Sequence, residues 1–413
     1  MRPRHRRHAA LGAALILFSA APALAGEEAA RPAEAAKPAG AAKPAEAGLA
    51  PYAAVRALQN LQEQVAHGST AAQAAQAKML GHVAEVFAAA DPSAWKEPRN
   101  TGAAALFLFS AGRPSAVRAV LERHPAFTPE GDRLVKGALA YAEGQDDVAR
   151  VLLGNIDPRA MPASLGGHLA LVMATLLADK DPARADAMLD TARLLVPGSL
   201  VEEAALRRQI FLLADPATLD KFAGLSRQYI RRYRSSVFAA NFKSRLVSFA
   251  VRLAMAGEVA GLAKLDPVFA ELPQAERRAT YLTLARDALV GGRAEAARYA
   301  AARAAALAPD ANEAERAKLY AAAATAASDA APAARSALGA IDASRLPQRD
   351  ADLRDAASVV AASVDAGLGD RGQDVAGAVP DDPTTALLDR AHRALAAGDA
   401  LLAAGPASAG ATR

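Results

Sequence analysis

Ala185–Pro197 reads ADAMLDTARLLVP and Ala296–Pro309 reads AARYAAARAAALAP. Both stretches set small residues at helical spacing, and both stop at a proline. Each is followed by the start of a second helix, Glu203-Ala204-Ala205-Leu206 in one case and Glu313-Ala314-Glu315-Arg316 in the other. Alanine at these positions lets two helices approach closely, while Leu and Phe fill the space between successive pairs. Working outward, Gly112-Arg113-Pro114-Ser115-Ala116 and Gly292-Arg293-Ala294-Glu295-Ala296 are near copies of one another. Comparable turn signals stand at Gly144-Gln145, Lys180-Asp181-Pro182, Asp215-Pro216, Gly257-Glu258 and Asp329. They recur every 32 to 42 residues, the size of two helices of about 12–15 residues with their turns. The predicted fold is all-α: a tetratricopeptide-like helical-hairpin solenoid with degenerate repeats of about 35 residues. The consensus Trp, Leu-Gly and Tyr of a true tetratricopeptide are missing from most units.

Composition agrees. Of 413 residues, 115 are Ala and only 5% are aromatic, which favours helix and leaves little from which to build a sheet. The absence of Cys excludes thiolate metal sites, a Cys nucleophile and disulfides. The 48 basic and 44 acidic residues give a formal net charge of +4. Arg2, Arg4, Arg6 and Arg7 account for the whole excess, because residues 1–25 hold no acid. Without that segment the chain is charge-balanced, so overall basicity gives no argument for nucleic-acid binding.

Residues 1–25 have the pattern of a secretory signal peptide: a charged start, the apolar run Leu11–Leu17 with Phe18, and Ala23-Leu24-Ala25 before a cleavage site after Ala25. Export to the periplasm is the expectation, with no membrane span left after cleavage. Residues 26–50 form an Ala/Pro/Lys-rich linker with a repeated AAKPA unit. An N-terminal helical segment is expected over 51–111 and the repeat array over 112–364. A linker over 365–383, a capping helix over 384–404 carrying Leu387, Leu388, Leu395, Leu401 and Leu402, and a disordered tail over 405–413 complete the reading.

Catalytic patterns are lacking. His67, His82, His124, His168 and His392 include no pair at i, i+4 and no zinc-enzyme setting. No nucleophile elbow, phosphate-binding loop or dinucleotide fingerprint occurs. Asp146-Asp147, Glu202-Glu203 and Asp381-Asp382 are sequence neighbours, which do not face each other on a helix; they suit solvated charges or N-terminal caps. The expectation is a protein that is not an enzyme, with no cofactor, no metal and no small-molecule substrate.

Two segments stand out for partner binding. One is Trp95-Lys96-Glu97-Pro98-Arg99-Asn100, which holds the single Trp of the chain; Trp95, Arg99 and Asn100 are its candidate contacts, packing being the plainer role for Trp95. The other is Arg227-Gln228-Tyr229-Ile230-Arg231-Arg232-Tyr233-Arg234, with Arg245 a little later. Arg227/Arg231 and Tyr229/Tyr233 are i, i+4 pairs, so a basic and aromatic helix end is expected, with Arg227, Tyr229, Arg231, Arg232, Tyr233 and Arg234 as interface anchors. Charge at a helix C-terminus is the structural alternative.

The segment Pro51–Gln62 (PYAAVRALQNLQ), Pro98-Arg99-Asn100 leading through Ala103–Phe109 to Ser110-Ala111-Gly112-Arg113-Pro114, and more loosely Arg231–Phe242 (RRYRSSVFAANF) resemble the MotC family of periplasmic flagellar-motor proteins of rhizobia and related bacteria. The resemblance covers roughly residues 51–250, and Ala111 stands where a glycine is expected. It implies a non-enzymatic periplasmic protein required for flagellar rotation, binding the periplasmic part of the stator protein MotB. The rival readings are a general cell-envelope scaffold unrelated to motility and a peptidoglycan-lytic enzyme, for which no particular Glu is nominated.

Overall fold

A computed structural model describes residues 49–123, 127–307 and 310–366. Among these residues the chain is all-α, with seventeen α-helices and a few single 3-10 turns. The signal peptide, most of the 26–50 linker, the 365–383 linker beyond Ala366, the 384–404 helix, the tail, His124 and His392 lie outside the described residues.

The helices pair in sequence: α1 (Pro51–Ala66) with α2 (Thr70–Ala89), α3 (Pro98–Phe109) with α4 (Pro114–Arg123), α5 (Pro129–Ala142) with α6 (Asp146–Leu153), and α7 (Ala163–Leu177) with α8 (Pro182–Leu195). The series continues through α9 (Leu200–Leu212) and α10 (Leu219–Tyr233), α11 (Ala239–Ala256) and α12 (Val259–Phe269), and α13 (Gln274–Val290) and α14 (Ala294–Ala305). The turn signals at 112, 144, 181, 257 and 292 each stand just before the second helix of a hairpin. Local chemistry sets the ends. Pro occupies the first turn of α1, α3, α5 and α8, where its missing N–H is no loss. Ser69, Thr128, Asp181 and Ser199 accept from backbone N–H groups of the helices that they precede. Ala111, where the resemblance leads one to expect glycine, closes α3 with φ of 64°, in the left-handed region that glycine adopts most readily.

The chain divides into two units, Met1–Leu307 and Ala308–Arg413. Within the first, odd-numbered helices stack on one another: α1 on α3, α3 on α5 and α7, α7 on α9, α11 on α13. Helix α1 also touches α9, so the early hairpins wind tightly rather than leaving a broad open trough. The α1–α2 turn packs so closely on the chain after α10 that a Cβ at Gly68 would lie 2.2 Å from the Ser235 carbonyl oxygen. One core runs from Ala54 to Ala185, with Phe87, Phe107, Leu108 and Leu153 fully enclosed.

In the second unit, α15 (Ala311–Ala323) opens with a capping box between Asp310 and Glu313. It packs on α16 (Ala331–Gly339) and α17 (Gln348–Asp365). Asp350 of α17 is buried, accepting from Tyr320 Oη and Arg316 Nε of α15, both at 2.8 Å.

Candidate functional site

The turn at Pro92–Lys96 drives Trp95 inward, where its ring meets Phe87 and Phe127 edge-on with centroids 5.2 and 6.5 Å away. Asn100 is buried too. Its carboxamide donates to the Ala94 carbonyl at 2.7 Å and accepts from the Tyr52 amide at 3.0 Å, fixing the start of α1 to this turn. Arg99 is exposed; its guanidinium covers the Tyr52 ring at 4.1 Å and pairs with Glu97. Trp95 and Asn100 are therefore interior residues that shape the site, and Arg99 alone of the three faces solvent.

What they shape is a groove of about 500 Å³ between α3 and the N-terminal ends of α5 and α7. Its walls are Leu106, Phe127, Leu134, Met161 and Leu165, with Trp95 behind them and Lys96, Arg99 and Glu130 at the lips. An apolar concavity rimmed by charges is the usual form of a recognition site.

The α10 segment is arranged differently from the sequence expectation. Tyr229 and Tyr233 are buried, not presented. Tyr229 Oη donates to Glu203 at 2.6 Å and Tyr233 Oη to Glu202 at 2.7 Å. Burial, reinforced by the adjacent carboxylates, pushes both phenols far above their ordinary range, so both remain neutral donors. Their amphipathic helix must bury one stripe, and the i, i+4 pair falls on it. Glu202 and Glu203 are likewise interior rather than solvated, at 1% and 0% exposure. Glu202 also accepts from the Gly198 amide at 2.6 Å, a cap at the start of α9.

Arg231, Arg232 and Arg234 are exposed and Arg227 is half-buried, and most of them are spoken for. Arg231 pairs with Glu271 at 2.5 Å and Arg227 with the same carboxylate at 3.5 Å. Arg232 pairs with buried Glu202. Arg234 faces solvent beside a smaller cavity of about 220 Å³, next to Lys243 and Glu276. The two candidate segments thus form separate places on the first unit. Sequence reading missed the apolar wall of the groove, because Leu106 of α3 lies more than fifty residues from Met161 and Leu165 at the start of α7, and each reads singly as core.

The histidines have ordinary surroundings. His67 caps α1 and His82 lies 3.9 Å from Glu85 on the surface. His168 is buried, its Nδ1 donating to the Ser164 carbonyl at 2.8 Å, and burial lowers its pKa. Among the described residues no group of three or more His, Asp or Glu could hold a metal ion, and no helix is long and apolar enough to cross a membrane.

Comparison with known proteins follows the same outline. Residues 1–407 match the family described as chemotaxis protein MotC. Over 319 residues the chain is 33% identical to the chemotaxis protein MotC of Rhizobium meliloti (strain 1021), spanning 76% of this chain and 72% of that one. No solved structure matches. A family match over nearly the whole chain, joined to a relative aligned over most of both lengths, has one consequence: the chain belongs to the MotC family of chemotaxis proteins, and its role lies in motility.

Proposed function

We propose that the protein acts in the periplasm as a non-enzymatic binding protein of the flagellar motor, capturing the periplasmic part of a MotB-like stator subunit so that the flagellum can turn. The observation that carries this reading is the groove backed by Trp95: an apolar slot of about 500 Å³ with Lys96, Arg99 and Glu130 on its lips. Such a slot takes an apolar side chain or two of a partner segment, and the lip charges set its orientation. The leader at 1–25 supports export, and the Pro-rich 26–50 stretch suits a tether that spaces the array from a membrane or cell wall. The repeat array beyond it then serves as a scaffold.

The test is a swimming assay on a deletion strain, with flagella counted by electron microscopy. Flagella of normal number that fail to turn support the motor reading. Unimpaired swimming overturns it in favour of an envelope scaffold with another client. Complementation with Leu106→Glu then addresses the groove: paralysis with normal protein abundance locates the contact there, and full rescue removes it from consideration.

A further inference from the structure

Helix α1 carries a polar stripe that faces a cavity instead of another helix. Arg56, Gln59, Asn60 and Glu63 stand at i, i+3, i+4 and i+7, one face of the helix. They line a space of about 390 Å³ between α1, α7 and the beginning of α9. Gln59 Nε2 donates to Ser164 Oγ, tying α1 to the start of α7. The apolar part of the lining comes from Leu171 and Val172 of α7, Val196 of the α8–α9 turn and Val201 of α9. A cavity of this size, apolar with a few convergent polar groups, suits a small ligand.

Two side chains in this lining are more than nine-tenths buried and still uncommitted. Gln62 is 4% exposed, and its carboxamide has no hydrogen-bond partner among the described residues. Unlike the amide of Gln76, it is not sealed from solvent, so the surface it retains opens on the cavity. His168 is 8% exposed. Its Nδ1 donates to the Ser164 carbonyl, so in the neutral ring that burial favours Nε2 is an acceptor. That nitrogen too is unpartnered and unsealed. Arg56, Asn60 and Glu63 are exposed, and none of their side chains has a partner among the described residues. Arg56 and Glu63 are two turns apart, about 10 Å at the helical rise. An extended chain advances about 3.3–3.6 Å per residue, so about three residues span the distance between the two opposite charges.

We propose that this cavity binds a free peptide of about three residues, its carboxylate on Arg56 and Asn60, its ammonium on Glu63, and its main chain against Gln62 and His168. The Gln62 carboxamide donates and accepts, as a peptide unit requires, and His168 Nε2 accepts from a peptide N–H. An apolar side chain of the peptide meets Leu171, Val172 and Val201. A phosphate-bearing ligand would face Glu63 beside the one cation of the lining, and a sugar would find no open aromatic face, since Phe109 is 2% exposed. The cavity shares only Ser164 with the Trp95 groove and stands whether or not that groove binds a stator segment.

The experiment is titration calorimetry on the purified full chain with the tripeptide Ala-Leu-Ala, its N-acetylated and C-amidated form, and tetra-N-acetylchitotetraose as parallel probes. The free tripeptide is expected to bind, and the capped form about tenfold more weakly or not at all. Arg56→Gln and Glu63→Gln should each weaken the free peptide about tenfold, while Arg231→Gln, whose guanidinium is already paired, leaves it unchanged. Gln62→Leu should also weaken binding yet melt no lower than the parent, since it removes a buried amide without partners. A lower melting temperature with undiminished binding would make Gln62 structural and overturn its role. Should Gln62→Leu fail to fold, the exposed Arg56 and Glu63 carry the test. No binding at millimolar peptide overturns the proposal, as does undiminished binding in either charge variant. Equal affinity for the capped peptide, which would mark a segment within a longer chain, or binding of the sugar instead, does so too.

Discussion

The α9–α10 hairpin and the α13–α14 hairpin solve one packing problem in opposite ways. Between α9 and α10, two carboxylates lie in the interior beneath Tyr229 and Tyr233, and Arg207 and Arg232 complete the set. On α14 the buried residues are Ala296, Ala297, Ala300, Ala301 and Ala304, with no polar group among them. The alanine seam closes by letting backbones approach, and each small side chain contributes little on its own. The polar seam admits one register only, because each interior oxygen must meet its donor. Similar helical period therefore conceals two kinds of stability: one spread thinly over many contacts, the other concentrated in a few hydrogen bonds.

That contrast can be broken at either end. Glu203→Ala should be the most damaging change, leaving Tyr229 and Arg207 facing an empty interior and destabilising the protein by about 3–5 kcal/mol in urea titration. Combining Glu203→Leu with Tyr229→Phe and Arg207→Leu should recover most of the loss, since an apolar replacement of all three partners removes the unmet demand. An equal loss in both variants would mean that packing, not hydrogen bonding, governs this seam. Ala300→Leu should cost about 1–3 kcal/mol by forcing apart helices that only a methyl group fits between. A neutral outcome would show slack in the alanine seam.

A third site sharpens the comparison. Gln76 of α2 is 2% exposed, and neither atom of its amide is hydrogen-bonded, an interior polar group without the partners that Glu203 enjoys. Gln76→Leu should raise stability by about 1 kcal/mol, read as a shift in the urea midpoint. The smallest effect is expected at the surface. The hydrogen bond from Arg231, with help from Arg227, lowers the Glu271 pKa. A lowered folded pKa gives a contribution that is present above the ordinary carboxylate range and lost as pH falls through the folded value. The melting temperatures of Arg231→Ala and the parent should therefore differ slightly near neutrality, and the gap should close on acidification and in high salt. A gap that grows in acid would refute this account of the pair. Arg232→Ala should do more harm than Arg231→Ala, because it deprives buried Glu202 of its cation.

Much of the architecture was legible in residue order. Pro, Gly and Asp mark the turns at 112, 144, 181, 257 and 292, and the second helix of a hairpin follows each. These signals act within a few residues, through φ restriction and capping, so no distant contact is needed to read them. Family membership was legible for a similar reason, since Pro51–Gln62 and Pro98–Pro114 are contiguous strings. The candidate site was less so. Two arginines or two tyrosines four residues apart share a helix face in any sequence, but whether that face meets water or another helix depends on what packs there.

Sequence alone thus determined an all-α chain of paired helices, its period and its charge balance. Tertiary structure decided the rest: that Tyr229 and Tyr233 turn inward to Glu203 and Glu202, and that Arg231 and Arg232 are neutralised within the fold. Helix formation is settled by hydrogen bonds spanning four residues, whereas the fate of a charge such as Arg232 or Arg231 is settled by a carboxylate 30 or 40 residues away. Only the winding of the hairpins brings those neighbours together.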